Sequence, residues 1–138
     1  HVFPTAEQIL TAGDETFAFP QSRRDTMRRT ALALAEGDLD LGVGVDRDEA
    51  RAKLGALKGI GPWTVEMIAM RGLGDPDAFP ATDLGLIRAA AELGVDKLEA
   101  HSQAWRPWRS YATQHLWAMT PHAVNTIPGH PGCSEEAA

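Results

Sequence analysis

The chain has 138 residues, 43% of them hydrophobic, and a formal net charge of −6 at pH 7. This length fits one ordinary domain. The apolar residues form neither a run of the roughly 20 needed to cross a bilayer nor a leader segment, so we expect a soluble, cytoplasmic protein. The single cysteine, Cys133, excludes an internal disulfide and a four-cysteine metal or iron–sulfur site within the chain.

The acidic balance at first argues against nucleic-acid binding, because proteins that hold phosphates usually present a basic face. The net charge is, however, a sum over the whole chain. Arginines cluster at positions 23–24 and 28–29 and at 106 and 109, whereas many acidic residues lie in predicted turns or near the C-terminus. The composition makes nucleic acid a less expected partner without excluding it.

Helix caps and helical spacing recur along the chain, and no stretch shows the sustained alternation of a β-strand. We therefore predict an all-α domain. Thr5 is predicted to cap a short helix that ends before Gly13, and Ser22 to begin a longer one that ends at Gly37. The shared face of this second helix is predicted to contain Met27, Ala31, Leu34 and Ala35.

Clear signals mark the next two helices. Asp46 followed by Glu49 is typical of a capping box and predicts the start of a third helix. Pro62 suits the first position of a fourth helix, which we predict to run to about Arg71. Residues 73–82 contain two prolines and a glycine and are predicted to form a loop.

Asp83 is predicted to begin a fifth helix that Gly94 ends, and Pro107 to begin the last one, which runs through Met119. Helical spacing predicts a buried stripe on the fifth helix that consists of Leu84, Ile87, Ala91 and Leu93. Beyond Pro121, the segment is rich in proline, glycine and acidic residues and has little apolar surface to pack. We expect it to be disordered.

A glycine-rich turn, Leu57 to Gly61, separates the third and fourth predicted helices. Its glycines permit backbone conformations closed to other residues and let a phosphate approach the chain. Amides at the start of the following helix favour an anion, so a phosphate can bind there without positive side chains. The predicted phosphate-binding residues are Gly59, Ile60, Gly61, Trp63 and Thr64. The alternative is a plain helix-turn-helix corner with Ile60 as a buried plug.

Three segments carry a resemblance to a known family. They are residues 57–64 (Leu-Lys-Gly-Ile-Gly-Pro-Trp-Thr), 79–84 (Phe-Pro-Ala-Thr-Asp-Leu) and 105–112 (Trp-Arg-Pro-Trp-Arg-Ser-Tyr-Ala). Together they closely resemble the bacterial DNA-3-methyladenine glycosylase II family of the helix-hairpin-helix DNA glycosylase superfamily. The resemblance runs from about Val2 to about Met119, with one departure at Lys58, where relatives often have proline.

The resemblance implies the all-α catalytic domain of a helix-hairpin-helix DNA glycosylase over residues 1–120, followed by a disordered tail over residues 121–138. Family members also have an N-terminal β-rich domain and first catalytic-domain helices, which do not precede His1 in this sequence. We therefore expect the chain to be part of a longer enzyme, and whether it is active alone stays open.

Excision of a base makes the sugar cation-like, so the site needs a fixed anion beside C1′ and an attacking water. The resemblance implies that Asp83, twenty residues after Trp63, is this catalytic carboxylate. The alternative from the residues alone is an ordinary N-cap aspartate, because Asp83 directly precedes a predicted helix.

The residue two positions after the second hairpin glycine indicates the type of reaction. Superfamily members that also cut the strand carry a lysine there, which attacks the sugar as an amine. This chain has Trp63 instead, and its single cysteine cannot form the four-cysteine iron–sulfur cluster that those relatives often carry. We therefore expect a monofunctional hydrolase without an iron–sulfur cluster.

An alkylated purine such as 3-methyladenine is cationic and should stack on the electron-rich face of Trp63. Such a base is already a good leaving group and needs no general acid. By the resemblance, the other aromatic pocket wall maps onto Trp117, and two positions that are tyrosine in some relatives map onto Met67 and Ala118. The predicted base pocket is therefore less aromatic than in those relatives.

The resemblance also implies a monovalent cation, Na⁺ or K⁺, held by the main-chain carbonyls of Gly55, Leu57 and Ile60. The histidines at 101, 115, 122 and 130 show no metal-ligand spacing, and we predict no zinc site. Trp105 and Trp108 are predicted to pack in the core. Arg106 and Arg109 are predicted to brace main-chain carbonyls, with phosphate contact as the alternative.

Two functions follow from these features. The first is hydrolytic release of alkylated bases from double-stranded DNA by base flipping, in a bacterial, nucleoid-associated repair enzyme with no evident obligate protein partner. The second is a non-catalytic helix-hairpin-helix module that only grips the DNA backbone. Asp83 and Trp117 discriminate between them, because a binding module needs neither. An acidic protein-interaction bundle would leave the hairpin unexplained.

Overall fold

The computed structural model describes residues 3–119, and all regular elements within this range are helical. The α-helices are α1 (Ala6–Thr11), α2 (Gln21–Ala35), α3 (Arg47–Ala56), α4 (Pro62–Arg71), α5 (Leu84–Glu92), α6 (Leu98–His101) and α7 (Arg109–Met119), with 3₁₀ turns at Asp14–Thr16 and Ser102–Trp105. The all-α prediction is confirmed. The short α6 and the 3₁₀ turns were not predicted, and the predicted disordered tail lies outside the described residues.

Side-chain caps explain where two helices begin. The Thr5 hydroxyl accepts a hydrogen bond from the amide of Gln8, whose side chain accepts one from the Thr5 amide. Asp46 caps α3 by accepting from the amides of Asp48 and Glu49, at 2.9 and 3.0 Å. The Glu49 carboxylate pairs with Lys53 instead, so the bond back to Asp46 that would complete a capping box is not formed.

Two helices begin one or two residues away from their predicted first residues. Helix α2 begins at Gln21, one residue before Ser22, and α7 begins at Arg109, two residues after Pro107. The end of α2 is as predicted, because Gly37 follows it with a φ of 78°. Among residues 3–119, no helix is both long enough and apolar enough to cross a membrane.

Within the described part of the chain, the core consists of two apolar clusters. The first, which we call the hairpin-side core, contains Leu39, Leu54 and Val65, with Leu57 and Ile60 packed against it. The second, which we call the Asp83-side core, contains Phe79, Leu86, Ala89, Ala90, Leu98 and Leu116. Helices α3 and α4 pack together over the first, and α5 packs on α7 over the second. The loop 73–82 connects the two halves.

The predicted buried stripe of α5 is wrong. Leu84, Ile87 and Leu93 are 67%, 42% and 56% exposed, and Ala91 is exposed too. The buried residues are Leu86, Ala89 and Ala90. The charged residues Arg88 and Glu92 lie on one exposed side of α5, and the buried residues lie roughly opposite them. The predicted stripe is wrong because it lies next to this charged side. The inner face is set by packing against α7, where a Cβ on Gly85 would lie 3.5 Å from Cδ1 of Trp117.

Of the two tryptophans predicted to pack in the core near α7, one does and one does not. Trp105 packs on the Asp83-side core, edge-on to Phe79, as predicted. Trp108 is 58% exposed and pairs edge-on with Tyr111, which is 59% exposed, so its predicted core position is wrong. On α2, Ala31 is buried, but Leu34 and Ala35 are exposed.

Candidate active site

The glycine-rich turn forms a tight hairpin between α3 and α4. The Ile60 amide donates to the Leu57 carbonyl at 3.0 Å, and Gly59 adopts a φ of 100°. A Cβ on Gly59 would also lie 2.0 Å from Oγ1 of Thr26 on α2. This position therefore requires glycine both for its backbone conformation and for the space beside α2. Ile60 is half-buried against the hairpin-side core, so it also acts as a plug.

Helix α2 holds the back of this hairpin. Arg29 donates to the Lys58 carbonyl at 3.0 Å, and the Thr26 hydroxyl lies 3.4 Å from the same oxygen. Arg28 pairs with Asp14 at 2.7 Å, and Arg24 donates to the Asp14 carbonyl. The arginine clusters of α2 thus serve in part as internal braces.

The front of the hairpin is the N-terminus of α4. Gly61 occupies the N-cap position, Pro62 the first turn, and no side chain in residues 3–119 caps this helix end. The amides of Trp63 and Thr64 lie in this first turn, where intrahelical acceptors are missing and the helix dipole favours an anion. The hairpin therefore has the local geometry of a phosphate-binding site.

Asp83 caps α5, as its position in the sequence predicts. Its Oδ1 accepts a hydrogen bond from the Leu86 amide at 3.0 Å. The same carboxylate accepts two further bonds, which an N-cap does not need. The Trp63 indole N–H donates to Oδ2 at 2.8 Å, and the Trp117 indole N–H donates to Oδ1 at 3.0 Å. Three helix ends thus meet at one carboxylate.

These hydrogen bonds favour the ionised form of Asp83. Partial burial raises the pKa of its carboxyl, but the bonds from Trp117, Trp63 and the amides of Leu86 and Gly85 lower it, and the net pKa lies below the ordinary value. Asp83 is therefore ionised at neutral pH. The site holds an oriented anion that is only half-buried.

The predicted base-pocket residues lie on α4 and α7. Trp63 is 43% exposed, and Met67 is half-buried one turn further along α4. Trp117 is half-buried and Ala118 beside it is exposed. Sequence reasoning proposed the two tryptophans as stacking surfaces and missed their indole N–H groups as donors to Asp83. No sequence pattern near either residue indicates this bond.

Arg71, the last residue of α4, was also missed. Its guanidinium carbon lies 5.7 Å from the centre of the Trp117 ring, within the range of a cation–π contact. One positive group is therefore already present beside the proposed pocket.

The predicted roles of Arg106 and Arg109 need correction. They do not brace carbonyls. Both pair with the carboxylate of Asp77, Arg106 at 2.9 Å and Arg109 through two bonds of 2.8 Å. A carboxylate binds the planar guanidinium with two parallel bonds, which a single carbonyl cannot do.

Within residues 3–119, no group of three or more histidine, cysteine, aspartate or glutamate side chains is arranged to hold a metal ion. His101 lies edge-on to Trp105. His122, His130 and Cys133 lie outside the described residues.

The fold and site together define a helix-hairpin-helix domain with a carboxylate at a helix N-terminus. No protein-family model matches the chain. It is 52% identical to the Mycobacterium tuberculosis (strain H37Rv) protein named "Probable bifunctional transcriptional activator/DNA repair enzyme AlkA", over 93% of this chain and 27% of that protein. It is 40% identical to the Bacillus subtilis "DNA-3-methyladenine glycosylase", over 86% and 43%.

The chain is also similar to solved structures of DNA-3-methyladenine glycosylases. The chain matches the crystal structure of a DNA-3-methyladenine glycosidase from Bacillus halodurans with a TM-score of 0.71 and 30% identity, over 84% of this chain and 59% of that one. It matches the Schizosaccharomyces pombe glycosylase Mag1, in complex with abasic DNA, with a TM-score of 0.73 and 28% identity, over 83% and 62%. The chain is therefore a homologue of the DNA-3-methyladenine glycosylases and spans less than half the length of these two curated relatives.

Proposed function

We propose that the chain forms most of the catalytic helical domain of a monofunctional DNA glycosylase. Its reaction is hydrolysis of the N-glycosidic bond of alkylated purines such as 3-methyladenine in duplex DNA, after the base has flipped out of the helix. The observation that carries this proposal is the carboxylate of Asp83 held by two indoles. The names of the relatives support the substrate class, and the abasic DNA bound to Mag1 is the kind of product that base release leaves.

Asp83 supplies the anion of the reaction. As the bond from C1′ to the base breaks, the base leaves with the bonding electron pair and the sugar gains positive charge. A carboxylate beside C1′ stabilises that charge when it is ionised, and the indole and amide hydrogen bonds favour the ionised form. Water adds to C1′ and loses its proton to Asp83 or to solvent. A cationic base leaves as a neutral molecule, so no general acid is required.

The exposed face of Trp63 stacks on the flipped base, with Trp117 as the second aromatic wall. Met67 and Ala118 leave this pocket wider than two tyrosines would. A wider pocket accepts larger alkylated purines, because fewer rings restrict the position of the base.

The hairpin holds the DNA backbone through amides rather than through lysine and arginine. The exposed main chain of Gly59 and the first-turn amides of Trp63 and Thr64 bind one phosphate. This explains how a chain of net charge −6 binds DNA. Action on chromosomal DNA places the protein in the cytoplasm at the nucleoid.

The hairpin carbonyls fit the implied monovalent cation. Gly55 lies in the last turn of α3, where carbonyls lack intrahelical donors, and the Leu57 oxygen accepts a bond from the Ile60 amide while its second lone pair stays available. Together with the carbonyl of Ile60, these neutral oxygens suit Na⁺ or K⁺. When bound, such an ion would supply positive charge at the hairpin.

Substitution of Asp83 by asparagine tests the proposal. Asparagine is as good an N-cap as aspartate, so α5 is retained. The variant removes the anion and also the acceptor of the Trp63 indole N–H, because the side-chain NH2 group of asparagine cannot accept a hydrogen bond. We expect base release from methylated duplex DNA to fall by at least about a hundredfold, as when a transition-state stabiliser is removed. DNA affinity, measured by fluorescence anisotropy, should stay within about twofold, because the variant removes no phosphate contact.

Asp96→Asn is the control, because it neutralises an exposed acid outside the site. Base release by Asp83→Asn at the rate of the unaltered protein would contradict the proposed mechanism. Both variants are made in the full-length protein that contains this chain. If that protein and its Asp83→Asn variant bound DNA equally and neither released a base, the non-catalytic binding module would be the correct function.

A further inference from the structure

The loop 73–82, which leads into Asp83, is unusually buried. Loops usually run over the surface, because their polar backbone groups need water. Here Asp75, Ala78, Phe79 and Pro80 are all buried. The loop must therefore form its hydrogen bonds with the protein, and it does so with α3, α4 and α7.

The first anchor is Glu66 on α4. Its Oε2 accepts a hydrogen bond from the Phe79 amide at 2.8 Å, and its Oε1 accepts one from Arg51 at 3.1 Å. Arg51 in turn pairs with Asp75 in the same loop. Glu66 lies three residues after Trp63 on one helix. The anchor therefore sets the position of the loop relative to the first indole.

The second anchor is Asp77 in the loop. Arg109 binds both of its oxygens at 2.8 Å, which holds the pKa of Asp77 below its ordinary value. Next to Arg109, the Ser110 hydroxyl donates to the Ala78 carbonyl at 2.9 Å. Helix α7 also carries Trp117, eight residues after Arg109. This anchor sets the position of the loop relative to the second indole.

The link from the anchors to Asp83 is short and stiff. Only residues 80–82 separate Phe79 from Asp83. Within them, the Ala81 amide donates to the Phe79 carbonyl at 2.9 Å, and the Asp83 amide donates to the Pro80 carbonyl at 2.8 Å. A displacement of the loop at residues 77–79 is therefore transmitted to the carboxylate.

We propose that Glu66 and Asp77 are positioning residues for Asp83, each responsible for one of its two indole hydrogen bonds. Glu66 sets the bond from Trp63, and Asp77, through Arg109, sets the bond from Trp117. The inference rests on the proposed function in that Asp83 is taken as the catalytic carboxylate. It differs from a purely stabilising role, because the two anchors act on different donors and can be separated.

Nuclear magnetic resonance of the indole N–H groups tests this separation directly. The chain contains four tryptophans, so four indole signals can be assigned by substitution with phenylalanine. Glu66→Gln should move the signal of Trp63 and leave that of Trp117. Asp77→Asn should do the reverse. Glu49→Gln is the matched control, because it removes an exposed ion pair with Lys53 on α3 and should move neither signal.

Single-turnover base release supplies the functional measurement. Each anchor variant should lower the rate constant about tenfold, because a displacement of 1 Å or less in the reacting groups is costly. DNA affinity should stay unchanged. Arg109→Lys keeps the charge but not the two-bond contact, and it should move the Trp117 signal and lower the rate to an intermediate value. This variant tests the anchor even if Asp77→Asn fails to fold.

The proposal would be overturned if both indole signals moved together in each variant, or if neither moved while the melting temperature fell. Those results would show anchors that only stabilise the loop. Absence of base release by the unaltered full-length protein that contains this chain would contradict the proposed function instead, and the indole signals would still test the two anchors.

Discussion

The hairpin and the Asp83 site, to which we assign related tasks, are built in different ways. The hairpin consists of consecutive residues, and its one essential backbone conformation, that of Gly59, is local. The Asp83 site gathers residues 63, 83 and 117 from three helices. The hairpin therefore depends mainly on its own backbone and on the neighbouring α2 and hairpin-side core, whereas the Asp83 site depends on the packing of three helices. The following predictions test this difference.

The largest effects should come from the two cores. Leu54 and Leu86 are both fully buried, one in the hairpin-side core and one in the Asp83-side core. Substitution of either by alanine should lower the free energy of unfolding by about 2–5 kcal/mol, measured by chemical denaturation. Apart from this shared loss of stability, the two variants should differ in function. Leu54→Ala should weaken DNA binding more than Leu86→Ala does, and Leu86→Ala should slow base release more than Leu54→Ala does. Equal loss of both activities in both variants would show that the two regions behave as one unit.

A smaller effect should come from the hairpin glycines. Gly59→Ala combines a positive φ with a clash against Thr26 and should lower the free energy of unfolding by about 1–3 kcal/mol. Gly61→Ala is the matched control, because its φ is −94° and an added Cβ meets nothing within 4 Å. Thermal unfolding of the two variants gives the comparison. Equal melting temperatures would contradict the conformation described for Gly59.

The Asp83 site should respond to the loss of a single indole N–H. Trp117→Phe keeps an aromatic ring but removes a donor that lowers the pKa of Asp83, so that pKa rises. Because the ionised carboxylate is the proposed active form, the acid limb of the base-release profile should move to higher pH. The ionised form stabilises the fold above the unfolded pKa and loses this effect as the pH falls through the folded pKa, so the variant is also less stable at neutral pH.

Trp108→Phe, at an exposed position, is the control for this measurement. It should leave the acid limb where it is. An acid limb that shifted equally in both variants would mean that the indole of Trp117 has no special effect on Asp83.

The smallest effect should come from the outer face of α5. Leu84 is 67% exposed, so Leu84→Gln should change the free energy of unfolding by less than about 0.5 kcal/mol. The large cost expected for Leu86→Ala, two residues away, makes the contrast measurable in one denaturation series. A loss of several kcal/mol in Leu84→Gln would show that the originally predicted stripe is buried after all.

Sequence reasoning succeeded where the determining interactions are short-range. The caps at Thr5, Asp46 and Asp83 were found because a cap is a bond between residues two or three positions apart. For the same reason, the proline in its first turn identified the start of α4, and the glycine after α2 identified the end of α2. The inner face of α5 was missed, because the predicted stripe was placed beside the exposed charged residues Arg88 and Glu92 and not opposite them.

The roles of the arginines and tryptophans were partly missed for a related reason. Arg109 and Asp77 are 32 residues apart, and Trp63 and Asp83 are 20 apart. No periodicity connects such pairs. The resemblance to the glycosylases correctly pointed to the family, but it described the tryptophans as base-stacking surfaces and did not indicate their hydrogen bonds to the carboxylate.

The sequence by itself determined six of the seven α-helices of residues 3–119, the hairpin and the candidate carboxylate, because caps, glycines and prolines act through the backbone within one turn. Only the tertiary structure decided that Asp83 receives two indole N–H groups, and that a buried loop tied to α4 and α7 holds it between them. Those contacts depend on how helices distant in the chain pack. Packing is decided by the shape and polarity of all the surfaces that meet, which no local pattern contains.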